Sequence, residues 1–512
     1  MKIPRQQFIA ALLVALCLLI PFGNGFGKPG TVMDEGAVLV YPELILKGKL
    51  PYRDFETFYG PGNLYVLAGF YSVLGVNISV ERTVGLLYRL LILIGIYLIA
   101  LRWGTAIAAG CMAMTGFLLV QTGLGAFAWI GGLACLVWSL WLIANPNSAR
   151  RSLAGGFIAG CALLFRPDLI LAVVLSALAL FLMLPRSRRW KYLIGLFLGL
   201  LPMAWLALLV GWEQTYANLV LFPVFISSPG RHLPILAAER YLILLLVLHV
   251  IASLINIAVG LAALRANPQD IGPRLLLGCA LLGAGLTHQV VQRLDLMHVL
   301  SAAIISLGLL PLCFFVSLSF LKAKVPRPWA ALLALTTVFS LICLAAPELS
   351  ARFRQDTISS LNPRIRHMAF LELGDRSFPL GAMDRIRTAG TILTDLVRLS
   401  QPGQKLFVGP SDLRRTNYNN TFIYHLLPQL SPATYFLEMN PLSANRPDSR
   451  LAADVQTADW LLLDRALDNW NEANRSNEFG SDAPNAVVRD HFELEKQAGT
   501  YLLYRRKEPV NP

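Results

Sequence analysis

Apolar residues run along this chain in long blocks, at 8–22, 83–101, 104–122, 126–144, 152–165, 168–184, 192–210, 241–264, 275–288, 298–320 and 329–347. A helix needs about 20 apolar residues to cross a bilayer, so the blocks predict roughly eleven crossings. The blocks 152–165 and 275–288 are short, and each is bounded by a polar break: "FRPD" at 165–168 and "QRLDLMH" at 292–298. Pro167 gives the first break a physical cause, because proline clashes with a helix on its N-terminal side. Two further segments interrupt the pattern. The stretch 31–82 is rich in charge and ends its first half in Gly60-Pro61-Gly62, with helix-like runs at 36–48 and 63–75. After about 351 the apolar blocks shorten: "QKLFVG" (404–409), "ATYFL" (433–437), "DWLLLD" (459–464) and "TYLLYRR" (500–506) read as strands, with helices at 383–400 and 418–427.

The expected fold is therefore a polytopic α-helical membrane protein. Residues 1–350 form its transmembrane module, with a large first outer loop at 23–82, and 351–512 form a C-terminal α/β domain. Composition agrees: 55% of the residues are hydrophobic and only 15% charged, where soluble domains carry about a quarter. A net charge of +13 would suggest nucleic acid in a soluble protein, but no motif that reads DNA or RNA is present, so none is expected as a partner. The positive charge is assigned instead to cytoplasmic loops. With the N-terminus inside, those loops hold Lys2/Arg5, Arg102, Arg150/Arg151, the 186–191 cluster, Arg265/Arg274 and Lys322/Lys324/Arg327. Splitting the chain at FRPD returns Arg150/Arg151 and the 186–191 cluster to one side. The opposite face then receives the 31–82 loop, both polar turns, the 211–240 loop and the C-terminal domain, which is extracytoplasmic. The block 8–22 follows basic residues as a signal peptide would, but no Ala-x-Ala-like cleavage site follows it, and it is expected to be an uncleaved first helix. All seven cysteines lie inside apolar blocks, so the C-terminal domain has no disulfide framework.

The polar segments assigned to the outer face carry the candidate chemistry. Asp34 and Glu35 are adjacent, so on a helix they point in different directions: one can face a site while the other caps or pairs. A carboxylate of ordinary affinity is ionised at neutral pH and can accept a proton from a positioned hydroxyl; the simpler reading is a helix cap. "GKLPYRDFETFYGPG" (48–62) sets Arg53, Asp54 and Glu56 among Tyr52, Phe55, Phe58 and Tyr59, either an interfacial anchor or a platform for a sugar or a lipid phosphate. Arg166/Asp168 and Arg293/Asp295/His298 occupy tight turns, where ion pairing and helix capping compete with substrate contact. His288, His298 and Asp295 also raise a divalent metal, which is not expected to be required. The 211–240 loop is apolar in its middle and suits a segment lying on the membrane, with Arg231 and His232 as phosphate-binding candidates.

An acidic pair directly after the first helix, then "LILKGKLPYRDFETFYGPG" and Glu81-Arg82 before the second, resembles the GT-C class of membrane glycosyltransferases. The resemblance is strongest over residues 1–100 and says little about the C-terminal domain. It implies a sugar donor on a polyprenyl phosphate and a glycan, lipid or protein acceptor in the cell envelope, as in arabinofuranosyltransferase-like members. It places Asp34 at the family's catalytic carboxylate with Glu35 beside it. Arg53, Arg166, Arg231 and Arg293 become donor-phosphate candidates, and Asp54, Tyr59, Asp168, His232, Asp295 and His298 substrate-binding candidates. No WWDYG-like motif is present, which separates the chain from the oligosaccharyltransferase branch, and the first loop has no DxD. A lipid-linked sugar flippase and a non-enzymatic envelope assembly protein are the rival readings. The flippase predicts charges within helices and related halves, and neither is seen.

Overall fold

The computed structural model describes residues 16–144, 148–182, 184–321, 325–362 and 369–508. Lys2, Arg5, Lys322, Lys324 and the start of the first apolar block lie outside the described residues. Each apolar block from residue 83 onward is helical. Among the described residues, six helices are long and apolar enough to cross a membrane: Ile78–Trp103, Arg186–Val210, Arg240–Ala266, Ile271–Gln292, Leu296–Phe320 and Arg327–Ala345. Shorter apolar helices are Leu16–Gly27, Thr105–Val120, Ala128–Ile143 and Pro167–Phe181, and Ala149–Phe165 occupies the remaining block. The protein is a polytopic α-helical membrane protein.

The breaks fall at the polar turns. Arg166 precedes Pro167 and is driven to extended backbone (φ −146°), which ends the Ala149–Phe165 helix. Arg293 does the same at φ −152°, and Asp295 restarts the chain by accepting a hydrogen bond from the His298 amide.

By contacts the chain forms two compact units. One unit takes the described parts of Met1–Phe26, Arg82–Trp205 and Pro234–Arg366; the other takes Gly27–Glu81, Leu206–Leu233 and His367–Pro512. Most of the first outer loop thus packs with the C-terminal segment, because that segment supplies its hydrogen-bond partners.

In the first unit, helices approach to backbone contact. A Cβ on Gly156 would lie 1.9 Å from the Tyr192 carbonyl oxygen, and one on Gly199 would lie 2.3 Å from that of Phe157. Gly156/Gly160 and Gly195/Gly199 are therefore small-residue pairs that let Ala149–Phe165 and Arg186–Val210 meet without intervening side chains. Arg89, fully buried, donates to the carbonyls of Gly85, Leu124 and Gly125 and to Thr122 Oγ1. It satisfies the turn between Thr105–Val120 and Ala128–Ile143, where helical bonding stops.

In the second unit, strands β1 (Phe370–Leu373) and β2 (Arg376–Pro379) form a hairpin. A mixed sheet of β3 (Lys405–Pro410), β4 (Ser431–Pro432), β5 (Trp460–Asp464), β6 (Phe492–Ala498) and β7 (Tyr501–Arg506) runs in the order β4-β3-β5-β7-β6. β3 is parallel to β4 and β5, and β7 is antiparallel to β5 and β6. The expected strand at 433–437 does not form. Asp454 Oδ2 takes the Tyr435 amide and Thr434 Oγ1 takes that of Phe436, so neither joins a ladder. Phe407, Leu461, Leu463, Val455, Val488 and Phe492 belong to the core beneath the sheet. The Asp34–Leu46 helix rests on this domain through Gly36, where a Cβ would come within 2.4 Å of the Phe422 amide nitrogen. The Phe422 amide itself donates to the Val32 carbonyl at 3.0 Å.

Candidate functional site

Asp34 is the first residue of its helix and is exposed, whereas Glu35 is buried. Glu35 Oε2 accepts the Thr31 amide at 2.9 Å while Thr31 Oγ1 accepts the Glu35 amide at 3.0 Å, a reciprocal brace of the helix start. The two acids thus take separate duties, and Asp34 is the one presented outward.

Behind it lies a pair of carboxylates that local pattern does not reveal. Glu56 is 1% exposed and Glu438 is 5% exposed. Ser443 Oγ donates to Glu56 Oε1, and Asn440 Nδ2 reaches Glu56 Oε2 at 3.2 Å and Glu438 Oε2 at 3.4 Å, so one amide bridges both acids. The Tyr41 hydroxyl faces Glu438, and its ring stacks on Phe55 with centroids 4.7 Å apart. Burial raises the Glu56 carboxyl from its ordinary 4.5 to about 7, against the hydrogen bonds from Ser443 and Asn440. Burial also raises Glu438 to about 7; the neighbouring Asp34 charge adds to the rise and Arg231 opposes it. Near neutral pH the pair therefore retains protons that ordinary carboxyls would have released.

The backbone here is unusual. Tyr52 (φ 69°), Met439 (φ 52°) and Leu442 (φ 63°) occupy the left-handed region without being glycine. They lie in the two loops that deliver Glu56 and Glu438, and such strain persists where the surroundings over-determine a site. Tyr435 locks the loops together: its hydroxyl donates to the Tyr52 carbonyl at 2.8 Å, and Asn218 Nδ2 donates to that hydroxyl at 2.9 Å. Arg231 places its guanidinium 5.4 Å from the Phe58 ring centroid, and His232 is exposed beside it. Arg53 pairs with Asp54 at 2.8 Å and is half exposed, while Asp54 also takes the Leu50 amide. The Tyr59 carbonyl accepts the Tyr52 hydroxyl at 2.8 Å. Leu221, Val224 and Phe225, in the π-helical Ala217–Ile226 of the 211–240 loop, are exposed.

The remaining expected residues form a second group, in the first unit. Arg166 pairs with Asp168, and Gln289 Nε2 donates to Asp168 Oδ2 at 3.2 Å. Ser301 Oγ donates to Gln289 Oε1 at 3.3 Å and to the His298 carbonyl, and Asp295 holds both Arg293 at 3.0 Å and His298 Nδ1 at 2.8 Å. Gln289 thus joins the two polar turns into one network. Burial would raise the Asp295 carboxyl, but its hydrogen bonds to His298 and the Arg293 charge outweigh burial and hold it at about 2. Among the described residues no three His, Cys, Asp or Glu side chains are grouped as a metal would need.

No protein-family model matches the sequence, and neither does any curated protein. Solved structures do match. ArnT from Cupriavidus metallidurans bound to undecaprenyl phosphate superimposes with a TM-score of 0.56 at 12% identity, covering 99% of this chain and 100% of that one. ArnT from the same organism in the apo state gives 0.54 at 12% identity, with 98% of each chain covered. The chain has the GT-C fold. At this identity the likeness speaks for architecture alone, and the GT-C fold accounts for a helical membrane region and a sheet-bearing C-terminal segment in one chain. Glu438, Asn440 and Ser443 went unread in the sequence because their significance rests on a partner near residue 56. Glu56 itself stood in view as part of the charged stretch, with nothing local to mark it as buried.

Proposed function

We propose that this protein is a membrane glycosyltransferase that moves a sugar from a polyprenyl-phosphate donor to a cell-envelope glycan, lipid or protein acceptor. The observation that carries the reading is an exposed carboxylate, Asp34, backed by the buried Glu56/Glu438 pair, in a chain whose fold follows ArnT from end to end. The ArnT structure holds undecaprenyl phosphate, which supports a lipid phosphate as the leaving group here. The acceptor hydroxyl gives its proton to Asp34 as its oxygen bonds to the anomeric carbon, and the bond from that carbon to the phosphate oxygen breaks. One displacement inverts the anomeric centre. The electron pair departs with the lipid phosphate, whose charge is met by arginine.

Arg231 leads that assignment, because it already lies within electrostatic reach of the acid cluster. Arg53, Arg166 and Arg293 each hold a carboxylate, Asp54, Asp168 and Asp295, and a phosphate would share or displace that partner. Tyr59, His232 and His298 are assigned to substrate contact, Glu35 to the support of Asp34, and no metal to the reaction. The protein sits in the cell membrane with its N-terminus cytoplasmic and its C-terminal segment outside.

The test is sugar transfer from a panel of polyprenyl-phosphate sugars by protein in lipid nanodiscs, wild type beside Asp34→Asn, with and without EDTA. Transfer by the wild type that survives EDTA and falls by about 10²-fold or more in the variant is the expected result. Undiminished transfer by Asp34→Asn refutes its role as the base.

A further inference from the structure

A second constellation lies in the C-terminal segment, on the loops that follow β3 and β5. These strands are parallel neighbours whose exits diverge. β3 continues through 411–420 to the Phe422–Leu426 helix and β4 on one side; β5 continues through 465–482 to the Ala483–His491 helix and then to β6, beyond β7 on the other. In open sheets, ligands bind outside the carboxyl ends of strands at such a divergence.

Large aromatic surface is left open there. Trp470 is 47% exposed and Phe479 is 63% exposed. The Tyr418 ring meets Trp470 at 5.7 Å and 88°, making a corner of two perpendicular rings, and Arg414 lies 4.6 Å from the Phe479 centroid. Tyr418 holds a left-handed backbone (φ 72°), a conformation that a bulky residue adopts only where its surroundings impose it, and its hydroxyl donates to Glu472 Oε1 at 3.0 Å. The loops are fixed in advance. Arg415 donates to the Asp468 and Trp470 carbonyls and to Asn471 and Asn477, Asn420 donates to Asp464 Oδ2 at 2.7 Å, and Ser411 Oγ donates to Asp468 Oδ2. Asn417, 1% exposed, donates to the Trp470 carbonyl, while its own Oδ1 has no hydrogen-bond partner.

We propose that this surface binds carbohydrate. A sugar ring offers an apolar C–H face and a rim of hydroxyls, and it fits where flat aromatic faces stand among amides and carboxylates. The loops' charges point away from a polyanion. Arg414, Arg415, Arg465 and Arg475 are balanced by Asp412, Asp468, Glu472, Glu478 and Asp482, and Arg414 and Arg475 are already tied to Asp412 and Glu478. The exposed Asn471 amide offers neutral polar contact instead, while Asn419, Asn420, Asn474 and Asn477 are engaged in holding the loops. The surface shares no residue with the Asp34/Glu56/Glu438 cluster, so it stands whether or not the transferase reading does; under that reading its ligand is the acceptor glycan.

Binding of chitohexaose, maltohexaose and arabinohexaose to the full chain in lipid nanodiscs, read by saturation-transfer NMR, tests the proposal. Nanodiscs avoid the sugar head groups of maltoside detergents. At least one oligosaccharide is expected to bind, with Kd raised about tenfold or more by Trp470→Ala and by Phe479→Ala. Both side chains are exposed, so both variants are expected to keep the wild-type melting midpoint. Asp34→Asn is expected to bind as the wild type does. Absence of binding by all three sugars overturns the proposal. So does binding that both aromatic variants retain, or binding that Asp34→Asn alone abolishes.

Discussion

Replacing Glu438 by glutamine tests the buried carboxylate pair directly. In the folded protein Glu56 and Glu438 are each raised from 4.5 to about 7. The fold therefore binds these protons more tightly than the unfolded chain, and the stability that goes with them is present below about pH 4.5 and lost as pH rises through 7. A rise of about 2.5 units is worth roughly 3.4 kcal/mol per group, of which about 2 kcal/mol is lost between pH 5.5 and 8. Glu438→Gln is neutral throughout and removes one of the two contributions. It also relieves Glu56 of a like-charged neighbour. The amide places an NH₂ near Asn440 Nδ2, a cost of about 1–3 kcal/mol that is the same at every pH. The informative quantity is therefore the slope with pH and not the absolute midpoint. Thermal melts in nanodiscs across this range are expected to show the wild type falling by about 2 °C more than the variant. Equal slopes, or a wild type that gains stability as pH rises, would refute the account of the pair.

Two further substitutions probe the membrane region. Gly199→Val puts a side chain where even a Cβ would lie 2.3 Å from the Phe157 carbonyl; it is expected to part the Ala149–Phe165 and Arg186–Val210 helices and lower the melting midpoint, and an unchanged midpoint would refute the close approach. Arg89→Leu strips the donor from the Gly85, Leu124 and Gly125 carbonyls and from Thr122 Oγ1. At about 1–3 kcal/mol for each buried group left unpaired, little folded protein should be recovered, and a wild-type yield would show that those groups are satisfied otherwise.

The helical layout was legible because spanning helices must be apolar and because proline and charge interrupt them where the chain turns; FRPD and QRLDLMH fall at observed helix breaks. Strands β3, β5 and β7 were legible as dense apolar runs. β1 and β2 were not, because "FLEL" and "RSFP" are too short to establish a period. "ATYFL" misled, because side chains of Asp454 and Thr434 capture the amides that a ladder would use. For the site, adjacency alone said that Asp34 and Glu35 must diverge, and they do. Glu56 and Glu438 acquire their character from burial and from Ser443 and Asn440, partners that no window of sequence around residue 56 contains.

Glu56 and Ser443 are separated by 387 residues. At a synthesis rate of about 5–20 residues per second, roughly 20–80 s pass between the appearance of the first and that of the second. Throughout that interval Glu56 has neither Ser443 nor Asn440, nor Glu438 beside it, and the Asp34–Leu46 helix has no Phe422 on which to rest. The acid cluster thus comes into being only near the end of translation. A chain that stops short of residue 438 carries Asp34 without the pair behind it, so under the proposed mechanism an interrupted product is expected to show no sugar transfer.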